Sequence, residues 1–469
     1  MNLKITSAIL SLFLAGCAMG PDYKRPAITL PPAYSEDTAT ANQSAIANNW
    51  WALYGDATLT GLVTAALNNN ADILKSLALL DEAEAVLSEA DASFFPQLDL
   101  GTSGTKSRSS TLNAQRLQPG TPIIAKSNRL ALSTAFELDF WGKLRRNTEA
   151  AHAQVRGTRY AKDVTSLTIA GLTTQAYFTL CSLDAQIAVS KETATSREES
   201  LAVMKNRAAA GLASELELNQ AEGVRADVSL QLRELQRQRA LIEHQLGNLT
   251  GQPGLKIIPV DLSTLPVPAL PSMGLPSALI EQRPDVQQAE QKLVFANAQI
   301  GLAKAAMLPT FSLTGNYGGQ SEALSNLFKD GARIWSAGLS ATLPIFDAGK
   351  YAARTHQTEA RQRQALADYQ KSVETAFKEV ADALSNMQQS TASATDQQTK
   401  TNAARNVLRL SRLRYDAGYS AYLEVLDAQR TANAAEQALI QNRWAQLMYS
   451  VDLMKALGGG WSAEAVAKN

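Results

Sequence analysis

Two cysteines and three histidines are the only thiol and imidazole groups in this 469-residue chain. His152, His244 and His356 fall in three separate helical stretches, and neither HExxH nor CxxC spacing occurs. The eight methionines do not cluster. No metal site is therefore expected, because ligands must converge before any metal preference applies. No phosphate loop, nucleophile elbow or pair of catalytic acids stands out, so neither an enzyme nor a cofactor is expected. Lysine plus arginine equals aspartate plus glutamate at 44 each, which removes the charge argument for nucleic acid or an acidic tail. A long lipid-compatible helix is lacking too. Val164 to Leu183 carries no charge, but Thr165, Ser166, Thr168, Thr173, Thr174, Gln175, Thr179 and Ser182 load it with hydroxyls and amides. That content suits an interface between helices better than lipid. The mean hydropathy of −0.15 suggests a soluble protein. β-barrel walls give similar averages, because their apolar residues alternate with polar ones.

The first 17 residues carry the first positive signal. Lys4 forms a short basic region, Ile5 to Leu14 an apolar one, and Leu14-Ala15-Gly16-Cys17 a small-residue cleavage site ending in cysteine. A plain secretory signal needs no cysteine at that junction. The ending resembles a bacterial lipobox, so residues 1–16 read as signal peptide and Cys17 as the lipid attachment site. Ala18, in place of aspartate, favours sorting to the outer membrane. Several acyl chains on one residue form a durable anchor where a single chain does not. Cys181 is then left without a disulfide partner and reads as a small core residue.

The chain repeats itself. Arg207 to Gly211 followed by Leu216-Glu217 matches Arg414 to Gly418 followed by Leu423-Glu424, a shift of 207 residues that also carries Gly142-Lys143 onto Gly349-Lys350. Upstream the shift is 213, taking Asp72 to Asp285 and Pro96 to Pro309. The reading divides the chain into a lipidated segment 17–56, a first repeat 57–251, a proline-rich linker 252–276, a second repeat 277–460 and a tail 461–469. Trp50, Trp51 and Trp461 read as packing anchors.

Each repeat has the order helix, strand, strand, long helix, helix, with β-hairpins at about 96–141 and 309–347. Leu366, Tyr369, Val373, Phe377, Val380, Leu384 and Met387 step by three or four, the seam of helices packed side by side. From Gly349 to Gly418 no proline interrupts, and a helix of about 60 residues would measure roughly 90 Å. In the strands, Leu130, Leu132, Phe136 and Leu138 alternate with Arg129, Ala131, Ser133 and Glu137. Trp335, Leu339 and Leu343 alternate with Ser336, Gly338 and Thr342. One greasy and one polar face fit a barrel wall between lipid and water. Four strands close no barrel around water, and open edges cannot face lipid, so several chains must share one barrel. A half-buried sheet packed on helices alternates similarly. A lipid-anchored periplasmic helical scaffold or adaptor without a pore is therefore the competing reading.

Several motifs occur in order: Arg283-Pro-Asp-Val286, Leu343-Pro-Ile-Phe-Asp-Ala-Gly349, Phe377 to Leu384, Leu423-Glu-Val-Leu-Asp-Ala-Gln-Arg430 and Ala456-Leu-Gly-Gly-Gly-Trp461. With Pro21-Asp-Tyr-Lys-Arg-Pro26 they resemble the TolC-like outer-membrane efflux family, in its lipoprotein branch of the OprM, CusC and NodT type. The resemblance covers nearly the whole chain. It implies an α+β membrane protein: a homotrimeric, 12-stranded transmembrane β-barrel with four strands per chain, continued by a long periplasmic α-helical barrel. It implies a passive, gated channel for drugs or other small substrates, working with a periplasmic adaptor and an inner-membrane RND transporter. Motif positions that ring the family's periplasmic constriction match Glu424 and Asp427, whose six carboxylates in a trimer would favour cations. Tyr415 and Gly418 match the turn before that ring. Ser420 stands where some members carry a latching arginine, and Arg414 or Arg412 is the expected substitute.

Overall fold

The computed structural model describes residues 18–31, 47–110, 112, 122–258, 261–268 and 283–460. The expected signal peptide, the lipid site Cys17, part of the linker and the tail with Trp461 lie outside the described residues. The elements are α1 (Ala57–Asn69), α2 (Ala71–Ala92), β1 (Gln97–Arg108), β2 (Ile124–Leu138), α3 (Lys143–Ala209), α4 (Glu215–Leu249), α5 (Pro284–Ala305), β3 (Thr310–Ser321), β4 (Arg333–Thr342), α6 (Lys350–Asp416) and α7 (Tyr422–Ala456). Helices α3 and α6 each run for 67 residues, and α4 and α7 for 35. The bounds of α3 and α4 become those of α6 and α7 on adding 207, and those of α2 and β1 become those of α5 and β3 on adding 213. Among the described residues no helix is long and apolar enough to cross a membrane.

Two compact units divide the chain. The first comprises Met1–Ala27, Leu80–Thr158 and Ala289–Tyr369; the second comprises Ile28–Leu79, Arg159–Gln288 and Gln370–Asn469.

The first unit holds a four-stranded antiparallel sheet in the order β1-β2-β3-β4. Its register sorts the side chains cleanly. Leu100, Leu132, Tyr317 and Trp335 stand opposite one another in one row, while Asp99, Ser133, Asn316 and Ser336 form the next. Because successive side chains point to opposite faces, one face is apolar and the other polar or small. The apolar face is bare: Leu100, Tyr317, Trp335 and Leu339 are 69%, 56%, 75% and 67% exposed.

Beside the sheet, the strap formed by residues 18–25 lies in a groove of the same unit. Met19 donates its amide to the Trp141 carbonyl (2.9 Å), and Asn297 donates to the Pro21 carbonyl (2.8 Å). Arg25 grips the buried Glu290 carboxylate through two nitrogens at 2.7 and 2.8 Å, and the Tyr23 hydroxyl donates to it at 3.0 Å. A Cβ on Gly20 would sit 2.5 Å from the Gly301 Cα, so only glycine lets the strap lie this close.

The second unit is helical, with its core around Trp50, Tyr54, Leu59, Tyr177, Phe178, Leu246, Leu447 and Val451. Asp56 caps α1 through the Leu59 amide at 3.0 Å and accepts from the Tyr177 hydroxyl at 2.6 Å. Thr173 and Thr174, both fully buried, donate to the Ile169 and Ala170 carbonyls of their own helix. These two hydroxyls are thus satisfied within their own helix, on a surface that packing buries. Cys181 is 1% exposed, and burial pushes its thiol up to about 12, which leaves it unreactive.

Buried Glu243 organises the chain that follows α4. Its carboxylate accepts from Lys256 (2.8 Å) and the Ile257 amide (3.0 Å), with Arg239 at 3.4 Å. Burial pushes its pKa up, but these donors outweigh burial and hold it below the ordinary carboxylate value. The group therefore adds stability above its unfolded pKa of about 4.3, and the contribution is lost as pH falls through the lower folded value. Glu243→Gln is expected to cost about 2 kcal/mol at pH 7, and the gap from wild type should close below about pH 4. Guanidinium unfolding at the two pH values measures both.

Candidate functional site

The site expected at the end of the long helices is built from two equivalent turns of the second unit. In each, a left-handed glycine ends the long helix: Gly211 has φ +71° and Gly418 φ +77°. The Leu212 amide donates to the Arg207 carbonyl and the Tyr419 amide to the Arg414 carbonyl, both at 2.8 Å. These are the closing bonds of glycine-terminated helices.

The copies then diverge. In the first, Ser214 and Glu217 form a reciprocal capping box, with the Glu217 amide donating to the Ser214 hydroxyl (3.2 Å) and the Ser214 amide to the Glu217 carboxylate (2.8 Å). The second copy has Ala421 in place of Ser214 and no side-chain cap. Glu424, the counterpart of Glu217, is instead 3.1 Å from Arg414 Nε. Losing one hydroxyl thus turns a capping carboxylate into an ion pair that joins the end of α6 to the start of α7.

Tyr415 faces inward from this turn. Arg207 donates to its hydroxyl at 2.7 Å, and its ring lies 5.3 Å from that of Tyr422. Burial raises the Tyr415 pKa, against the pull of Arg207. Around them pack Leu201, Met204, Ala221, Tyr422, Val425 and Leu426. Asp427 pairs with Arg430 on its own helix (2.8 Å) rather than with Arg414. Of the expected latch substitutes, Arg414 binds Glu424 within the chain, while Arg412 donates to Ser196 (3.2 Å). The Arg207–Tyr415 contact was not legible from the sequence, since the two side chains lie 208 residues apart. Among the described residues no group of three or more histidine, cysteine or carboxylate side chains is placed to hold a metal.

Helices of 67 residues and, in the other unit, an antiparallel sheet with a bare apolar face are features of an outer-membrane channel protein rather than a soluble bundle. The comparisons place the chain within a family: the outer membrane efflux protein profile matches residues 62–252 and 275–459, and the chain belongs to that family. The cation efflux system protein CusC of Escherichia coli O6:H1 is 32% identical over 466 residues, covering 98% of this chain and 99% of the relative. The outer membrane protein OprJ of Pseudomonas aeruginosa is 33% identical over 463 residues, covering 97% and 96%. The crystal structure of the open state of the Neisseria gonorrhoeae MtrE outer membrane channel superposes with a TM-score of 0.84 at 27% identity, covering 95% of this chain and 98% of that one. The protein is an outer-membrane efflux channel.

Restoring the missing cap tests the divergence of the turns. Ala421→Ser is expected to draw Glu424 into a capping box and raise stability by about 1 kcal/mol. Adding Glu424→Ala, which removes the reciprocal acceptor that glutamine would keep, should take away part of that gain. Guanidinium midpoints of the two variants against their parents measure both.

Proposed function

We propose that the chain works as a homotrimer whose three sheets close one 12-stranded outer-membrane β-barrel, continued through the periplasm by an α-helical conduit. The observation that carries this reading is the sheet: one face is exposed apolar surface, and β1 and β4 pair on one side only among the described residues. Neither edge tolerates lipid, because unpaired peptide groups in hydrocarbon each cost several kcal/mol, roughly the value of a lost buried hydrogen bond. Two copies would give eight strands, whose interior is filled by side chains. Three copies are the smallest ring that leaves room for water. Four antiparallel strands per copy let β4 of one chain run antiparallel to β1 of the next, so the ring closes without a mismatch. A scaffold without a pore leaves the apolar face unexplained.

The proposed domain division follows the repeat: a signal peptide 1–16, a lipidated segment 17–56, repeats 57–251 and 277–460 joined by 252–276, and a tail. Acyl chains on Cys17 would anchor the strap that begins at Ala18. Conduction is passive, with no bond made or broken, so the chain acts without cofactor and not as an enzyme. Its partners in this reading are a periplasmic adaptor and an inner-membrane RND transporter, and the transporter selects the cargo. The names of relatives point the same way, spanning cation, toluene and antibiotic efflux.

At the narrow end, Glu424 and Asp427 would line the constriction. Each is partly neutralised by its own arginine, and exposed pairs of this kind hold weakly, at roughly 0–1 kcal/mol. The Arg414–Glu424 pair is then a light catch, easily exchanged when a partner docks. Glu424→Gln with Asp427→Asn should lower cation over anion selectivity and raise conductance in planar bilayers. Unchanged reversal potentials in a salt gradient would remove these residues from the constriction.

A further inference from the structure

The hairpin β1–β2 carries its charges at one end. From Thr102 to Thr134 the sequence contains Lys106, Arg108, Arg116, Lys126 and Arg129 and no acidic residue, in a chain whose charges otherwise balance. The register places the four that lie in the strands, Arg116 being outside the described residues. Lys106 stands directly opposite Lys126, and Arg108 opposite Ile124, at the end of the sheet away from the helix connections. By parity Lys106, Arg108 and Lys126 share the face of Leu98, Leu100, Leu130 and Leu132, while Arg129 lies on the polar face. The apolar face thus ends in a row of cations.

Like charges directly opposite each other on a sheet are destabilising. Lysines on edge strands often deter edge pairing. Lys106 lies on the edge strand β1, and Lys126 lies on β2 just beyond Asn128, where pairing with β3 ends; edge protection accounts for each lysine singly but not for their standing directly opposite one another. Among the described residues, Lys106, Arg108 and Lys126 have no ion pair. At the other corner of the same face, the β3–β4 connection lies against β3. A Cβ on Gly319 would sit 2.3 Å from the Leu327 carbonyl oxygen, so the approach requires glycine. Under this connection opens a cavity of about 330 Å³, lined by Leu100, Leu130, Tyr317 and Phe328, with Lys329 and the ion pair of Arg333 with Asp330 (3.1 Å) also in its lining. Phe328 is 84% exposed and Leu324 70%. An apolar slot beside cations on a lipid-facing wall matches one chemistry, an acyl chain joined to a phosphate.

We propose that this rim binds the phosphate groups of outer-leaflet lipid, with Lys106, Lys126 and Arg108 as the principal cations and the slot beneath Phe328 holding an acyl chain. The assignment rests on the barrel reading above, which turns this face toward lipid. In the closed ring β4 of one copy adjoins β1 of the next, so both corners join in a collar around the barrel. Bound phosphate offsets the repulsion between Lys106 and Lys126 and fixes the depth at which the barrel sits.

The test uses the full-length trimer in detergent, titrated with bis-phosphorylated lipid A, with the same lipid after enzymatic dephosphorylation, and with inorganic phosphate. Binding is read as the upward shift in the temperature at which the folded, heat-modifiable band converts on gels. The phosphorylated lipid should raise that temperature and the other two should not. Lys106→Gln with Lys126→Gln should bind about thirtyfold more weakly, each cation near an anionic lipid surface being worth roughly fivefold. Arg129→Gln, on the opposite face, should bind as wild type. If the double variant assembles poorly, Arg108→Gln with Lys329→Gln should show a comparable loss. Equal shifts with dephosphorylated lipid, a shift with inorganic phosphate alone, or undiminished binding by the variants would overturn the proposal. A wild-type protein with no heat-modifiable folded band would instead bring down the barrel reading itself, and this inference with it.

Discussion

Everything in this chain depends on a sheet that cannot satisfy itself. Four strands leave two edges with unpaired peptide groups and one face of exposed leucine, tyrosine and tryptophan. In water that face would aggregate, and in lipid those edges would not be tolerated. The proposed trimer answers both demands, placing copies of the sheet at its edges and hydrocarbon against its face.

Two tandem copies share the work and differ where they meet other parts. At the start of α2, Asn70 donates to the Leu249 carbonyl. At the equivalent position before α5, Arg283 donates to the Ala456 carbonyl. Different side chains thus make the same bond, and the residue pairs keep the 213 and 207 offsets of the repeat. Arg283 does more: it also pairs with Asp285 and Glu379, both at 2.7 Å. The turns diverge in the opposite sense. The first keeps its capping box and is locally complete, whereas the second lost its cap at Ala421 and gives its carboxylate to Arg414. The copy carrying the candidate constriction is therefore the one whose turn is held by an exchangeable ion pair.

Much of this was legible in the sequence, for identifiable reasons. Strand parity survives in any register that buries one face, so the alternation at Leu130 to Leu138 and at Trp335 to Leu343 pointed to the right strands. The uninterrupted seam after Gly349 forecast a long helix because nothing in it could stop one; the observed α6 runs to Asp416. The hydroxyl-rich stretch before Leu183 read as an interhelical surface, and Thr173 and Thr174 lie there fully buried. What stayed hidden were contacts between distant segments. The hold of Tyr23 and Arg25 on Glu290, and of Arg207 on Tyr415, depends on which helices lie side by side, and no local pattern encodes that. The Ser214-to-Ala421 exchange was visible in the aligned repeats, but its meaning needed the geometry of Glu424.

The central claim is that three chains share one barrel through the edges of their sheets. Its most direct test is a disulfide between Ser103→Cys on β1 and Ser336→Cys on β4, both on the polar face. Within one chain two strands separate these positions, beyond the reach of a disulfide, whose Cα atoms lie within about 7 Å. The account predicts that oxidation of the folded outer-membrane protein yields covalent species that stop at three chains on denaturing gels. Products that stop at two chains, or no cross-link between chains at any β1–β4 register tried, would contradict it.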